Sequence, residues 1–221
     1  MRHLCCRLVL AAASMAIAWG QPAAANVSAD QALARLLEGN QRFVRHKEKH
    51  PDASMPRRKE LQTGQHPMAV ILGCADSRVP PELIFDQGLG DLFVVRVAGN
   101  VVDDDILGSL EYAVEHLGTK LIMVVGHEKC GAITAALEPG EAGGHLKYLV
   151  DAIHPSVEEV SAAPGDKVHN CVVANARRVA RQIRESEPVL KEFVEAKGVK
   201  VVAADYVLDT GKVTLLDAGH P

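Results

Sequence analysis

Three residues in this chain combine metal-ligand chemistry with a metal-ligand setting: Cys74, His127 and Cys130. The apolar run Val70-Ile71-Leu72-Gly73 leads into Cys74, and Met123-Val124-Val125-Gly126 leads into His127. Continuous runs of this kind read as buried parallel strands, and neighbouring strands lie about 4.8 Å apart. Side chains leaving two adjacent strand ends can therefore meet on one ion, at about 2.3 Å for Zn–S and about 2.0 Å for Zn–N. Cys130 follows three residues after His127, in the first turn of a helix expected from Glu128 towards Leu137, and a helix N-terminus favours thiolate over thiol. Cys, His and Cys with one coordination position unassigned is the donor count of a catalytic rather than a closed structural zinc site. The same residues also admit two plainer readings: a buried cysteine beside a satisfied core histidine, or a Cys74–Cys130 disulfide.

Cys74-Ala75-Asp76-Ser77-Arg78 places a carboxylate and a guanidinium directly after the first ligand. Arginine can grip a carboxylate with two hydrogen bonds and keep it ionised. An ionised, oriented carboxylate can accept a hydrogen bond from a hydroxide nucleophile and aim its lone pair at an electrophile. The plainer alternative is a surface salt bridge, worth little.

The elements that must position these groups read as an α/β fold. Its centre is a mostly parallel sheet with flanking helices, an antiparallel C-terminal edge strand and an N-terminal helical arm. Met68 to Leu72, Leu92 to Val97 and Leu121 to Val125 form three strands, with a helix through Ile106, Leu110, Ala113, Val114 and Leu117 that Gly118 ends. Ser28-Ala29-Asp30-Gln31 has the form of a capping box, which starts a helix running towards about Phe43. Arg45 to Arg58, with Pro51 and Pro56, reads as a loop or arm. Further helices are expected around His145 to Ile153, Val168 to Arg184 and Pro188 to Ala196, and a terminal hairpin from Val199 to Leu216 turns at Asp209-Thr210-Gly211. Cys171 falls on the apolar face of its helix with Val168, Val172, Val179 and Ile183, and is expected to be buried and inert.

The chain has 221 residues, 48% apolar and 24% charged, enough for one substantial core. Arg2 and Arg7 precede the apolar run Leu8 to Trp19, and Ala23-Ala24-Ala25 follows. This layout predicts a signal peptide over 1–25, since an apolar run of that length falls short of the roughly 20 residues that span a bilayer. Its removal leaves residues 26–221 as a single catalytic domain, with 26–60 as helix and arm, working in the periplasm or the medium with no membrane attachment. Losing two basic residues moves the formal charge from −4 to −6, which excludes nucleic acid as an expected partner. Cys74, Cys130 and Cys171 remain, an odd number that does not suit a disulfide framework.

Cys74-x-Asp76-Ser77-Arg78 followed by His127-x-x-Cys130-Gly131 resembles the defining motif of the β-class carbonic anhydrases. The resemblance extends through Pro80-Pro81-Glu82, Phe93 to Asn100, Glu111 to Val114 and Asp209 to Val213. It implies a lyase that reversibly hydrates carbon dioxide to bicarbonate with one Zn2+ per chain on Cys74, His127 and Cys130, beside the Asp76–Arg78 dyad. In some members the aspartate occupies the fourth zinc position in an inactive form, and the arginine pulls it away. The resemblance further implies that Gln65 contacts substrate across a subunit interface, that Phe93 and Tyr112 line an apolar pocket, and that the Gly131 N–H helps bind substrate. It implies a homodimer or homotetramer with the N-terminal arm packed on the partner. Relatives regulated by bicarbonate carry tryptophan where this chain has Ile71, so no switch of that type is expected. Two other readings share the same site: a hydrolase of carbon disulfide or carbonyl sulfide, and a catalytically silent zinc- or bicarbonate-binding protein.

Overall fold

The computed structural model describes residues 27–216, and the expected signal peptide lies outside them. The helices are α1 (Ala29–Val44), α2 (Met55–Glu60), α3 (Pro81–Ile84), α4 (Asp104–Glu115), α5 (Gly131–Leu137), α6 (Leu146–Glu159), α7 (Lys167–Glu185) and α8 (Val189–Ala196). The strands are β1 (Ala69–Gly73), β2 (Leu92–Arg96), β3 (Leu121–His127), β4 (Lys200–Tyr206) and β5 (Val213–Leu215), in the order β2-β1-β3-β4-β5. β2, β1, β3 and β4 are parallel, and β5 pairs antiparallel with β4 at the edge.

Every residue of β1 and β3 is buried. Their unbroken apolar runs follow from this, because a strand covered on both faces has no polar side to alternate with. Ile71, Met123, Val125 and Val202 belong to one core cluster with Ala32 and Leu36 of α1. Val70, Leu72, Ile122, Val124, Val201 and Ala203 belong to the other, with Leu110 of α4, Val179 and Ile183 of α7 and Leu190 of α8. The β3–β1 pairing sets Val125 beside Gly73, so Cys74 and His127 leave the sheet along the same C-terminal edge.

The capping box at Ser28 forms as expected: its side chain accepts from Gln31 N, and Gln31 Oε1 accepts from Ser28 N. One face of α1 covers the sheet of its own chain, with Leu36 fully buried. The polar stretch read as a loop contains the short helix α2. Ser54 caps it and Pro56 sits in its first turn, where the missing N–H has no helical partner to lose. Buried Asp86 fastens the arm by accepting from Arg42 Nε and from the backbone N–H groups of Lys49 and His50.

Asn40 joins three distant segments. Its buried amide donates to Ile84 O at 3.1 Å and Gly211 O at 2.8 Å, and its oxygen accepts from Val213 N at 2.9 Å. Replacing Asn40 by leucine strands these three backbone groups, and chemical denaturation should show a loss of about 3 kcal/mol in unfolding free energy.

Candidate metal centre

Cys74 follows β1 directly, His127 is the last residue of β3, and Cys130 precedes the first residue of α5. Their donor atoms lie within 4.8 Å of one another, and all three residues are buried. The two Sγ atoms are 3.9 Å apart and both thiols are free, which sets the disulfide reading aside. That spacing matches the edge of a tetrahedron of thiolates at about 2.3 Å from zinc, which is about 3.8 Å long. His127 Nδ1 lies 2.9 Å from Glu128 O, which fixes the ring with Nε2 towards the two sulfurs. Nε2 is buried and has no hydrogen-bond partner. A buried ring nitrogen without a partner is costly, and a cation between the three donors removes that cost, so the residues fit the zinc ion implied by their types.

The helix expected from Glu128 begins later. Lys129 takes a left-handed turn with φ 52°, Cys130 has extended backbone, and α5 starts at Gly131. This turn folds the chain back from the strand end, so that Cys130 Sγ faces Cys74. The hydrogen bond between the thiols, together with the Gly99 N–H and His127, pulls Cys74 towards thiolate against the opposing effect of burial. Cys130 is pushed up, chiefly by that same hydrogen bond and by burial, although the N–H groups of Ile133 and Ala132 favour its ionised form. With a dication held by these donors, both sulfurs would favour the thiolate form.

Asp76 and Arg78 pair as expected. Arg78 Nε donates to Asp76 Oδ1 at 2.9 Å and a terminal nitrogen of Arg78 to Oδ2 at 2.7 Å, while Arg78 N also donates to Oδ1. The same guanidinium reaches Lys129 O at 3.1 Å, which anchors it to the turn before Cys130. Hydrogen bonding from Arg78 holds the Asp76 carboxyl far below the usual carboxylate range. Asp76 Oδ2 is 4.0 Å from His127 Nε2, so this held carboxylate borders the donor triangle.

Two residues here belong to no recognisable site motif of their own. Arg96 at the end of β2 donates to Cys74 O at 2.9 Å and Asp76 O at 2.6 Å, clamping the loop that carries ligand and carboxylate. Gly99 N donates to Cys74 Sγ at 3.3 Å. A charged residue closing an apolar strand was the available signal for Arg96. A backbone amide offers none.

The carbonic anhydrase family model matches residues 69–213, a span containing all three donors, Asp76 and Arg78. The structure resembles a tetrameric β-carbonic anhydrase from Sordaria macrospora, with a TM-score of 0.69 and 27% identity over 86% of this chain and 98% of that one. This chain belongs to the β-class carbonic anhydrases. Carbonic anhydrase 2 of Mycobacterium tuberculosis is 41% identical over 82% of this chain and 90% of its own length. The carbonic anhydrase of Mycolicibacterium smegmatis is 39% identical over 81% and 89%. A Coccomyxa β-carbonic anhydrase, solved with acetazolamide, aligns at a TM-score of 0.66 with 27% identity over 83% of this chain and 86% of that one.

The other residues that the resemblance led one to expect at the pocket are only partly brought together within this chain. A side chain built at Gly131 meets nothing within 4 Å, so open space adjoins Cys130. Gln65 is exposed and precedes β1, whereas Cys74 follows it, so the strand of about 16 Å separates them. Phe93 and Tyr112 form a tilted ring pair with centroids 6.2 Å apart, and Phe93 packs on the core cluster of Val70 and Leu72, not the one containing Cys74. Ile71 joins Val79, Pro81, Ile84, Phe85 and Val125 in an apolar pocket beside Cys74 and His127. Cys171 is fully buried, and burial pushes its thiol up to about 11, as suits an inert core residue. Among the described residues no helix is long and apolar enough to cross a membrane.

Proposed function

We propose that this chain hydrates carbon dioxide reversibly, with one zinc ion held by Cys74, His127 and Cys130. The buried triangle of donors carries this reading, since His127 Nε2 has no partner among the described residues and an arginine-held carboxylate stands 4.0 Å away. When bound, zinc lowers the pKa of water from about 15.7 to about 7, which makes hydroxide available near neutral pH. Asp76, ionised by its pairing with Arg78, accepts a hydrogen bond at Oδ2 and turns the nucleophile's lone pair towards the substrate carbon. Arg78 keeps both Asp76 oxygens engaged and so holds the carboxylate away from the metal donors. The open ground at Gly131 admits a small linear substrate, and its N–H orients an oxygen of the product.

Because Gln65, Phe93 and Tyr112 stand apart from the donors of their own chain, a neighbouring copy supplies them, in a homodimer or homotetramer. Tyr112 is 44% exposed here, in keeping with a surface another copy covers. Residues 1–25 form a signal peptide whose cleavage leaves 26–221 to work in the periplasm or the medium.

Stopped-flow hydration assays on residues 26–221, with zinc measured on the same sample, test this directly. The expected result is about one zinc per chain and turnover abolished by chelator; full zinc with no turnover would overturn it. Two thiolates neutralise the metal more than three imidazoles do and leave the water less acidic, so the rate should rise between about pH 7 and about pH 9. A flat or falling profile contradicts that assignment of ligands.

A further inference from the structure

Asn175 lies in the middle of α7 and is only 1% exposed, although its neighbours Ala174, Ala176 and Val179 are core residues. Burying an amide is costly unless it is hydrogen-bonded, and Asn175 spends its donor on one place: Nδ2 donates to Gly99 O at 2.8 Å. Gly99 is the residue whose N–H donates to Cys74 Sγ. Its φ is 75°, and a Cβ there would come within 2.8 Å of Ile153 Cδ1, so it is held by conformation and packing as well. On the other side Ser156 Oγ donates to Asn175 Oδ1 at 3.4 Å, and Arg178 Nε donates to Ser156 Oγ at 3.1 Å, which fixes the amide's orientation.

We infer that Asn175 is a positioning residue of the metal centre: it orients the Ala98–Asn100 turn so that the Gly99 amide donates to the Cys74 sulfur. The chain of contacts runs from α7 through one main-chain turn to a ligand 101 positions earlier in the sequence. A donor aimed at a thiolate withdraws electron density from it, which sets how strongly that sulfur binds the metal, and partners of this outer kind affect metal affinity by about 10–100-fold. The inference rests on the proposed metal site, and its test separates the two.

Zinc affinity is first measured for the wild-type protein by chelator competition, and the cobalt-substituted protein is examined for its thiolate-to-metal charge-transfer band. Failure of the wild type to bind zinc or cobalt sinks the metal site itself, and this inference with it. With the wild type loaded, Asn175→Leu, which keeps the volume and removes the donor, should bind zinc about tenfold or more weakly and show a shifted charge-transfer band. Unchanged affinity and an unchanged band would overturn the positioning role, even where thermal unfolding shows lower stability. Equal losses of stability with and without zinc would likewise mark Asn175 as structural only. Should the leucine variant not fold, Asn175→Ser, smaller and still polar but too short to reach Gly99, carries the same readouts.

Discussion

Cys74→Ser is expected to reduce carbon dioxide hydration to the uncatalysed rate at submicromolar zinc. Zinc held by protein donors is worth about 10–16 kcal/mol in all, so one donor accounts for several kcal/mol and its loss weakens binding by on the order of a thousandfold. The serine hydroxyl resists ionisation and is a poorer match than thiolate for zinc. Cys74 also accepts from Gly99 N, and an oxygen in place of the sulfur keeps that contact possible, so the scaffold should survive. Circular dichroism and zinc titration on the same sample check this: a folded variant that still binds zinc at nanomolar levels would remove Cys74 from the ligand set.

The second large effect concerns the dyad. In Arg78→Ala the Asp76 carboxylate loses two of its three hydrogen bonds and is left 4.0 Å from His127 Nε2, close enough to swing onto a metal held there. Hydration should fall by about a hundredfold to ten-thousandfold, the range for removing a positioned proton acceptor, while zinc stays bound. Asp76→Asn should cost a similar factor, since the amide no longer accepts as an anion. The decisive comparison is the double variant. If Arg78 acts only through Asp76, Asp76→Asn with Arg78→Ala is no slower than Asp76→Asn alone. Multiplicative losses in kcat/KM would show instead that Arg78 acts on the substrate by itself.

Much of the frame was legible because β1 and β3 are buried on both faces and so appear as unbroken apolar runs. With Cys74 and His127 placed at the ends of two such runs, strand adjacency brings them together by topology. The local turn was not legible: Lys129 adopts a left-handed conformation that a non-glycine residue does not announce, and it delayed the helix to Gly131. The short helix at Met55 lay inside a polar, proline-containing stretch that reads as a loop or arm, although proline fits a first turn. The partners of Asn175 and Arg96 were hidden for another reason. Both act on carbonyl groups far away in the sequence, and every residue has a carbonyl, so side-chain identity carries no address.

The tie through Asn40 also bears on the order in which the molecule assembles. Gly211 and Val213 lie 171 and 173 residues beyond Asn40, so α1 cannot complete its buried contacts until Val213 has been synthesised. Contacts spanning such distances form slowly, because the entropy of closing the loop is lost before the contact is gained. The three metal donors exist in the chain by residue 130, well before their scaffold can lock. A nascent molecule therefore carries its thiols through an interval in which their surroundings are unfinished, until β5 reaches Asn40.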